Sequence, residues 1–334
     1  MEIKDNSLVQ KHVPILDALR AIAALSVCFF HFICTVTGFI SSKPILDIFS
    51  HGHYGVQMFF VISGFVIPWS LYHSSYKLKN YFTFAVKRII RLEPLYIVSL
   101  ALAITHTYLR AMSPHYNGLD ITPSIKQILL HIGYLIPFFS DQTWIRPVYW
   151  TLAIEFQYYL AIGLMFPLIA NKKIALRITS YVVLLSGAFF TSKFLPYFLP
   201  SFIFGIALCL YKTKMIGWIE LSLLTLAAAI EMLVFHTFGT FAFSSFAFLA
   251  ILFFTNYKNK ILTFFGNISY SIYLFHSLTG LVFLNYISHS VVNPFYKFIM
   301  IIVALGITTL CSYLAYRFVE LPSKLLSSKI KFKK

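Results

Sequence analysis

Long apolar runs alternate with short polar breaks along nearly the whole chain. Ten runs are long enough to cross a hydrocarbon core, at roughly 14–40, 54–72, 84–109, 147–170, 174–192, 194–211, 216–235, 238–255, 261–287 and 295–319. In hydrocarbon, backbone N–H and C=O groups must be satisfied within the segment, so each run is expected to be helical. The pattern predicts an all-α polytopic membrane protein with about ten transmembrane helices. One polar break, 110–146, is long. Within it "SIKQILLHIGYLIPFF" (124–139) is apolar but short, and is expected to lie outside or re-enter without crossing. A crossing there would invert the side of every later break. The first run is too long and too charged for a cleaved signal peptide and is expected to be a retained helix. No repeat or linker divides the chain. It is expected to be one domain, 1–334, with a membrane bundle at 14–319 and a basic cytoplasmic tail at 320–334.

Composition sharpens this picture. Of the 334 residues, 59% are hydrophobic and only 11% are charged, against about 25% charged in a soluble domain. The mean hydropathy is +0.78. Lipid must therefore solvate most of the outside. The formal charge of +16 follows from 27 Lys and Arg against 11 acids. Sorted by alternate breaks, 20 of the basic residues fall on one side and 6 on the other, with Arg20 inside a run. The positive-inside rule then places both termini in the cytoplasm. Nucleic acid is not an expected partner, because no soluble basic and aromatic surface exists to bind it. The four cysteines lie inside apolar runs and form no CxxC pair, so neither a disulfide framework nor a metal site is expected. His51 and His53 share one loop, but no third ligand accompanies them.

The polar residues inside the runs carry the candidate chemistry. "LDALRAIAALSVCFFHF" (16–32) holds Asp17, Arg20 and His31. On a helix, Arg20 and His31 share one face about 16 Å apart along the axis, and Asp17 lies one turn before Arg20. Ionisable groups within spans are costly and usually functional. The plain alternative is that Asp17 and Arg20 snorkel while His31 is a satisfied core residue. "KRIIRLEPLYIVSL" (87–100) puts Arg88 and Arg91 on one face at the cytoplasmic mouth of the third run, beside Lys87. Two guanidiniums at that spacing suit a phosphate or pyrophosphate, although flanking by the positive-inside rule would give the same residues. Glu155 in "WTLAIEFQYYL" (150–160) needs a cation or a proton, and Arg20 or His31 could supply it. In "NISYSIYLFH" (267–276), Ser269, Tyr273 and His276 fall close to one face, suited either to a site or to helix–helix hydrogen bonding. Trp144, Tyr149 and Trp150 could stack on a pyranose or anchor the interface.

Taken together, these stretches resemble the acyltransferase-3 family of integral membrane acyltransferases. The resemblance rests on "LDALRAIAALSVCFFH", "GVQMFFVISGF" (55–65), "RIIRLEPLY" (88–96), "WTLAIEFQYY" (150–159), "SYSIYLFH" (269–276) and "YRFVELP" (316–322), in the family's order. It implies an O-acetyltransferase that moves an acetyl group from cytosolic acetyl-CoA to a hydroxyl of a cell-surface or lipid-linked glycan, such as lipopolysaccharide O-antigen or exopolysaccharide. A bacterial inner membrane is the implied location, acetyl-CoA the donor, and the bilayer and the glycan the partners, with no metal. His31, Arg20 and Glu155 are the expected catalytic group, and Arg88, Arg91 and Lys87 the expected grip on coenzyme A. Asp17, Gln57, Ser63, Tyr96, Trp150, Tyr273 and His276 are expected to support them. Gln57 departs from the family, where Asp is common, so no essential carboxylate is expected there. Some relatives carry a periplasmic SGNH-type domain; none is expected here after the tenth run and its basic tail, so any partner completing transfer is expected to be a separate protein. His31 is expected to act either as a base or as a transient acyl carrier at the membrane midplane. A transporter or exporter of a small anion is the rival reading, although no inverted repeat supports it.

Overall fold

The computed structural model describes residues 13–112, 122–190 and 193–332. Lys4, Lys11, Lys333 and Lys334 of the basic count lie outside the described residues, as do positions 113–121 of the long loop. Fifteen α-helices are described, and no strand. They are α1 (Ile15–Cys34), α2 (Lys43–Ser50), α3 (Gly55–His73), α4 (Tyr81–Ala111), α5 (Ile125–Ile132), α6 (Trp150–Ile169), α7 (Ile174–Leu184), α8 (Leu195–Lys212), α9 (Trp218–Phe235), α10 (Phe238–Phe253), α11 (Lys260–Asn267), α12 (Ser269–Phe275), α13 (Gly280–Ile287), α14 (Pro294–Ala315) and α15 (Leu321–Lys329).

Among the described residues, seven helical stretches are long and apolar enough to cross a membrane. They correspond to seven of the ten expected runs. Two others, at Ile174–Gly187 and Phe238–Phe253, are shorter apolar helices. The remaining run, 261–287, is broken into α11, α12 and α13. The stretch 124–139 holds only α5 and a 3-10 turn at Ile136–Phe138, which are too short to span.

The basic loops meet at one end of the bundle. Arg177 grips both carboxylate oxygens of Glu220 at 2.9 and 2.8 Å and donates to Asn171 O at 2.8 Å. Lys212 Nζ donates to Leu252 O and to Thr255 Oγ1, each at 2.9 Å. Lys87 Nζ donates to Ile330 O at 2.8 Å. At the opposite end, Thr237 donates to Tyr54 Oη at 2.8 Å, and Arg146 donates to His106 Nδ1 at 2.7 Å.

Helices α3 and α8 form the tightest pairing, and two glycines explain it. A Cβ at Gly64 would stand 2.2 Å from Phe202 O, and one at Gly205 would stand 2.1 Å from Val61 O. Only glycine lets the two backbones approach this closely. Around that seam Phe60, Tyr158 and Phe202 stack. Helix α1 is buried along much of its length, and α11 closes on its start, where a Cβ at Gly266 would meet Asp17 O at 2.2 Å.

Candidate active site

A cavity of about 930 Å³, its open mouth included, is lined from α1, α3, α4, α6, α12 and the α14–α15 junction. Four cations line it: Arg20, Arg88, Arg91 and Lys324. Two acids, Glu155 and Glu320, face them. The charges of Arg20, Arg91 and Lys324 repel one another across the space. Such convergence is costly in a low-dielectric bundle, and an anionic ligand would offset it.

Arg88 is nine-tenths buried, and its Nε has no hydrogen-bond partner among the described residues. The guanidinium lies over the rings of Phe84 and Tyr159, at 5.3 and 5.6 Å. The rings hold it in place through cation–π contact while donor capacity is left over. Asp17 takes Arg20 Nη1 at 3.4 Å.

Glu155 is held by hydroxyls. Ser63 Oγ donates to its Oε1 at 2.9 Å, and Tyr159 Oη donates to the same oxygen. The sequence pointed to Arg20 or His31 as its partner. The side chain instead bonds to α3 and to its own helix one turn on, while its charge acts on Arg20 and Arg88 through space.

A row of rings leads away from the basic end. Phe59 meets Tyr273 edge-on at 5.9 Å. Tyr273 lies 5.9 Å from His276, and His276 lies 4.9 Å from His31. Tyr273 Oη is fixed by Thr151 Oγ1 at 2.7 Å and donates to Val148 O at 3.1 Å. His276 is fully buried, and its Nδ1 donates to Ile272 O at 3.1 Å. Its Nε2 and the Nδ1 of His31 are buried without a hydrogen-bond partner among the described residues. The two histidines therefore face each other with spare nitrogen atoms, as proton exchange or nucleophilic attack requires.

The structure brings together Arg20, Ser63, Arg88, Arg91, Glu155 and Tyr273 on the cavity, with His31 and His276 just beyond it. It does not bring Lys87 there, because that ammonium latches onto Ile330 O. Gln57 accepts from Ser201 Oγ at 3.1 Å, away from the cavity. Tyr96 donates to His131 O at 3.1 Å and stacks on Tyr134. Trp150 packs on Phe60 and Phe198 and faces an outer groove with Trp144 and Lys193. Asp17 touches the site through Arg20. His31 sits in the last turn of α1, because the helix ends at Cys34 and not near residue 40. Sequence reasoning missed Glu320, Lys324 and Thr151 as cavity residues. An acid in the apolar "YRFVELP" was the available signal for Glu320. Among the described residues, no cluster of three or more potential metal ligands occurs.

Residues 13–317 match a family model described as an acyltransferase domain. The chain belongs to the acyltransferase-3 family. It is also 28% identical over 303 residues to "Putative acetyltransferase ORF330" of Acidianus two-tailed virus, covering 83% of this chain and 86% of that protein. No solved structure matches. Membership makes the chain a membrane acyltransferase, and the lined cavity with its histidine pair is the candidate place for acyl transfer.

Proposed function

We propose that the protein transfers an acetyl group from cytosolic acetyl-CoA to a hydroxyl of a cell-surface or lipid-linked glycan, such as O-antigen or exopolysaccharide, in a bacterial inner membrane. The observation that carries this reading is an anion-seeking cavity whose wall residue Tyr273 lies 5.9 Å from His276, which in turn lies 4.9 Å from His31. Arg88 and Arg91 grip the diphosphate from one helix face, and Arg88 Nε supplies a donor that the protein leaves unused. The pantetheine arm lies along Phe59, Ser63 and Tyr273 toward His31. Acetyl-CoA entering from the cytoplasm requires that the basic end be the cytoplasmic one, as the loop charges favour.

Two routes fit the histidine pair. In the first, His31 takes the proton of the acceptor hydroxyl as its oxygen attacks the thioester carbonyl. The C–S bond breaks, and coenzyme A leaves as the thiol once His31 returns the proton. In the second, His31 attacks the carbonyl itself, the C–S bond breaks, and coenzyme A leaves as the thiol with the proton the ring gives up. The acceptor oxygen then attacks the acetyl group, the N–C bond breaks, and the hydroxyl proton returns to His31. Glu155, fixed by Ser63 and Tyr159, balances Arg20 and Arg88 so that they remain in place between turnovers. Outer residues near Trp144 and Trp150 contribute to acceptor selection.

Alkali-released acetate from purified surface glycan tests the reading, comparing wild type with His31→Ala at equal membrane levels. Acetate with wild type alone is the expected result. Equal acetate from both would remove His31 from the chemistry. Wild type that adds no acetate to its native glycan would overturn the function.

A further inference from the structure

The basic tail at the end of the chain is not loose, because its helix α15 is docked on α4. Ser327 Oγ donates to Lys87 O at 2.8 Å, and Lys87 Nζ returns a bond to Ile330 O at 2.8 Å. The Phe332 ring then packs against Tyr76 at 5.6 Å and under the Lys87 ammonium at 5.2 Å. These contacts hold α15 as a wall of the cavity's basic mouth.

A π-helical turn at Tyr316–Glu320 joins α14 to α15. Such a turn inserts extra backbone and re-aims the helix beyond it. Here Glu320 and Lys324, one turn apart, both line the cavity. Glu320 is 2% exposed, accepts from Ser271 Oγ at 2.6 Å, and holds Lys324 Nζ at 2.6 Å. The ammonium also approaches Asn267 O at 3.5 Å. A lysine has three donors, so one remains after Glu320 and Asn267 are counted. Its side chain is 29% exposed, which leaves it within reach of solvent.

We infer that Lys324, positioned by Glu320 and Ser271, binds the ribose 3′-phosphate of the coenzyme A donor. The inference rests on the donor reading above and assigns a contact which that reading does not contain. Its basis is order along the ligand. In coenzyme A the thioester, the pantetheine arm, the diphosphate and the ribose phosphate succeed one another. The thioester must reach the histidine pair, and the buried Arg88, with Arg91 on the same helix face, suits the diphosphate. The peripheral phosphate then falls at the mouth, against the α15 wall docked beside α4, where Lys324 stands. A single ammonium suits a phosphate monoester, as a compact point charge. The Glu320 carboxylate fixes the ammonium before the ligand arrives, which reduces the ordering cost of binding.

Acetyl-dephospho-CoA lacks only that phosphate and is the probe. KM for acetyl-CoA and for acetyl-dephospho-CoA would be measured with the full chain in proteoliposomes, for wild type, Lys324→Ala, Lys324→Arg and the double variant Glu320→Gln/Lys324→Gln. Wild type is expected to prefer acetyl-CoA by about 10- to 100-fold in KM, the range of one charge-assisted contact. In Lys324→Ala and in the double variant, that ratio is expected to fall to within about 2-fold. Lys324→Arg is expected to keep most of it. The double variant guards against a misfolded Lys324→Ala, because it leaves no buried carboxylate without its cation. A ratio unchanged by either variant overturns the assignment while acetyl-CoA turnover keeps the donor reading intact. Equal loss toward both donors also overturns it, since that marks a structural role. Wild type without acetyl-CoA turnover overturns the donor reading, and this inference with it.

Discussion

The imidazole of His31 lies against that of His276, with ring centroids 4.9 Å apart and planes tilted by 51°. One ring comes from the end of α1 and the other from the break between α12 and α13. His276 has its Nδ1 proton committed to Ile272 O, so in the neutral ring Nε2 is an acceptor. The proposed mechanism uses this pair to move or hold a proton between two elements. His31→Ala should lower acetate transfer by about 10²- to 10⁴-fold, the usual range for a lost acid or base. His276→Ala should lower it by a smaller factor, and the double variant should fall no further than His31→Ala. Transfer rates at matched membrane levels decide this. Full activity in His276→Ala would make the second ring a packing residue.

Arg88 is wedged between Phe84 and Tyr159 with an unused Nε. Arg88→Ala should raise KM for acetyl-CoA by about 10- to 100-fold, consistent with loss of a charge-assisted contact. Arg88→Lys should recover only part of it, because an ammonium lacks the planar fork. Initial-rate kinetics in proteoliposomes would show the effect, and an unchanged KM in Arg88→Ala would remove this residue from the donor grip.

The seam between α3 and α8 makes a stability prediction. Gly205→Ala places a methyl 2.1 Å from Val61 O, and that neighbour is backbone, which cannot rotate away. Separating the helices should cost about 1–3 kcal/mol, the range for overpacking. A lowered midpoint in detergent thermal unfolding is the expected outcome. Gly306→Ala, with nothing within 4 Å of its added carbon, serves as the control.

The loop helix α5 carries a pH dependence. His131 is buried, its Nδ1 donates to Gln127 O at 2.8 Å, and its Nε2 accepts from the Ile145 N–H at 3.0 Å. The second contact requires the neutral ring, because a protonated Nε2 cannot accept the Ile145 N–H, whereas the Gln127 bond survives protonation. Burial lowers its pKa from the usual histidine value, and the Gln127 bond only partly opposes this. The unfolded loop therefore gains a proton before the folded one does. Stability of this segment is complete above about pH 6.5 and is lost as pH falls toward the folded value, by at most about 1.4 kcal/mol per pH unit. Hydrogen-exchange protection over 124–146, taken relative to the intrinsic rate at each pH, should fall between pH 7 and pH 5, and His131→Gln should flatten that dependence. An equal fall in the variant would assign the effect to another group.

Several features were legible because they are local. Apolar run length dictates helix, and an acid or arginine inside a run is conspicuous wherever the run packs. Arg20, Arg88, Arg91, Glu155 and Tyr273 were visible in this way, and all five line the cavity. Lys87 looked equivalent to Arg88 in the sequence, yet one residue of helical rotation turns it to Ile330. Tyr96 and Gln57 sat in family-like stretches but serve the packing around His131 and Ser201.

The chain by itself determined a helical membrane bundle with one basic side, because hydropathy and loop charge act over short stretches and need no distant partner. The tertiary structure decided where α1 stops, how the run at 261–287 breaks, which hydroxyls hold Glu155, and that Glu320 and Lys324 join the cavity. Those outcomes depend on helix rotation and on contacts between segments far apart in sequence. Neither is encoded in the pattern of any single run, since only close packing selects which face of each helix meets the others.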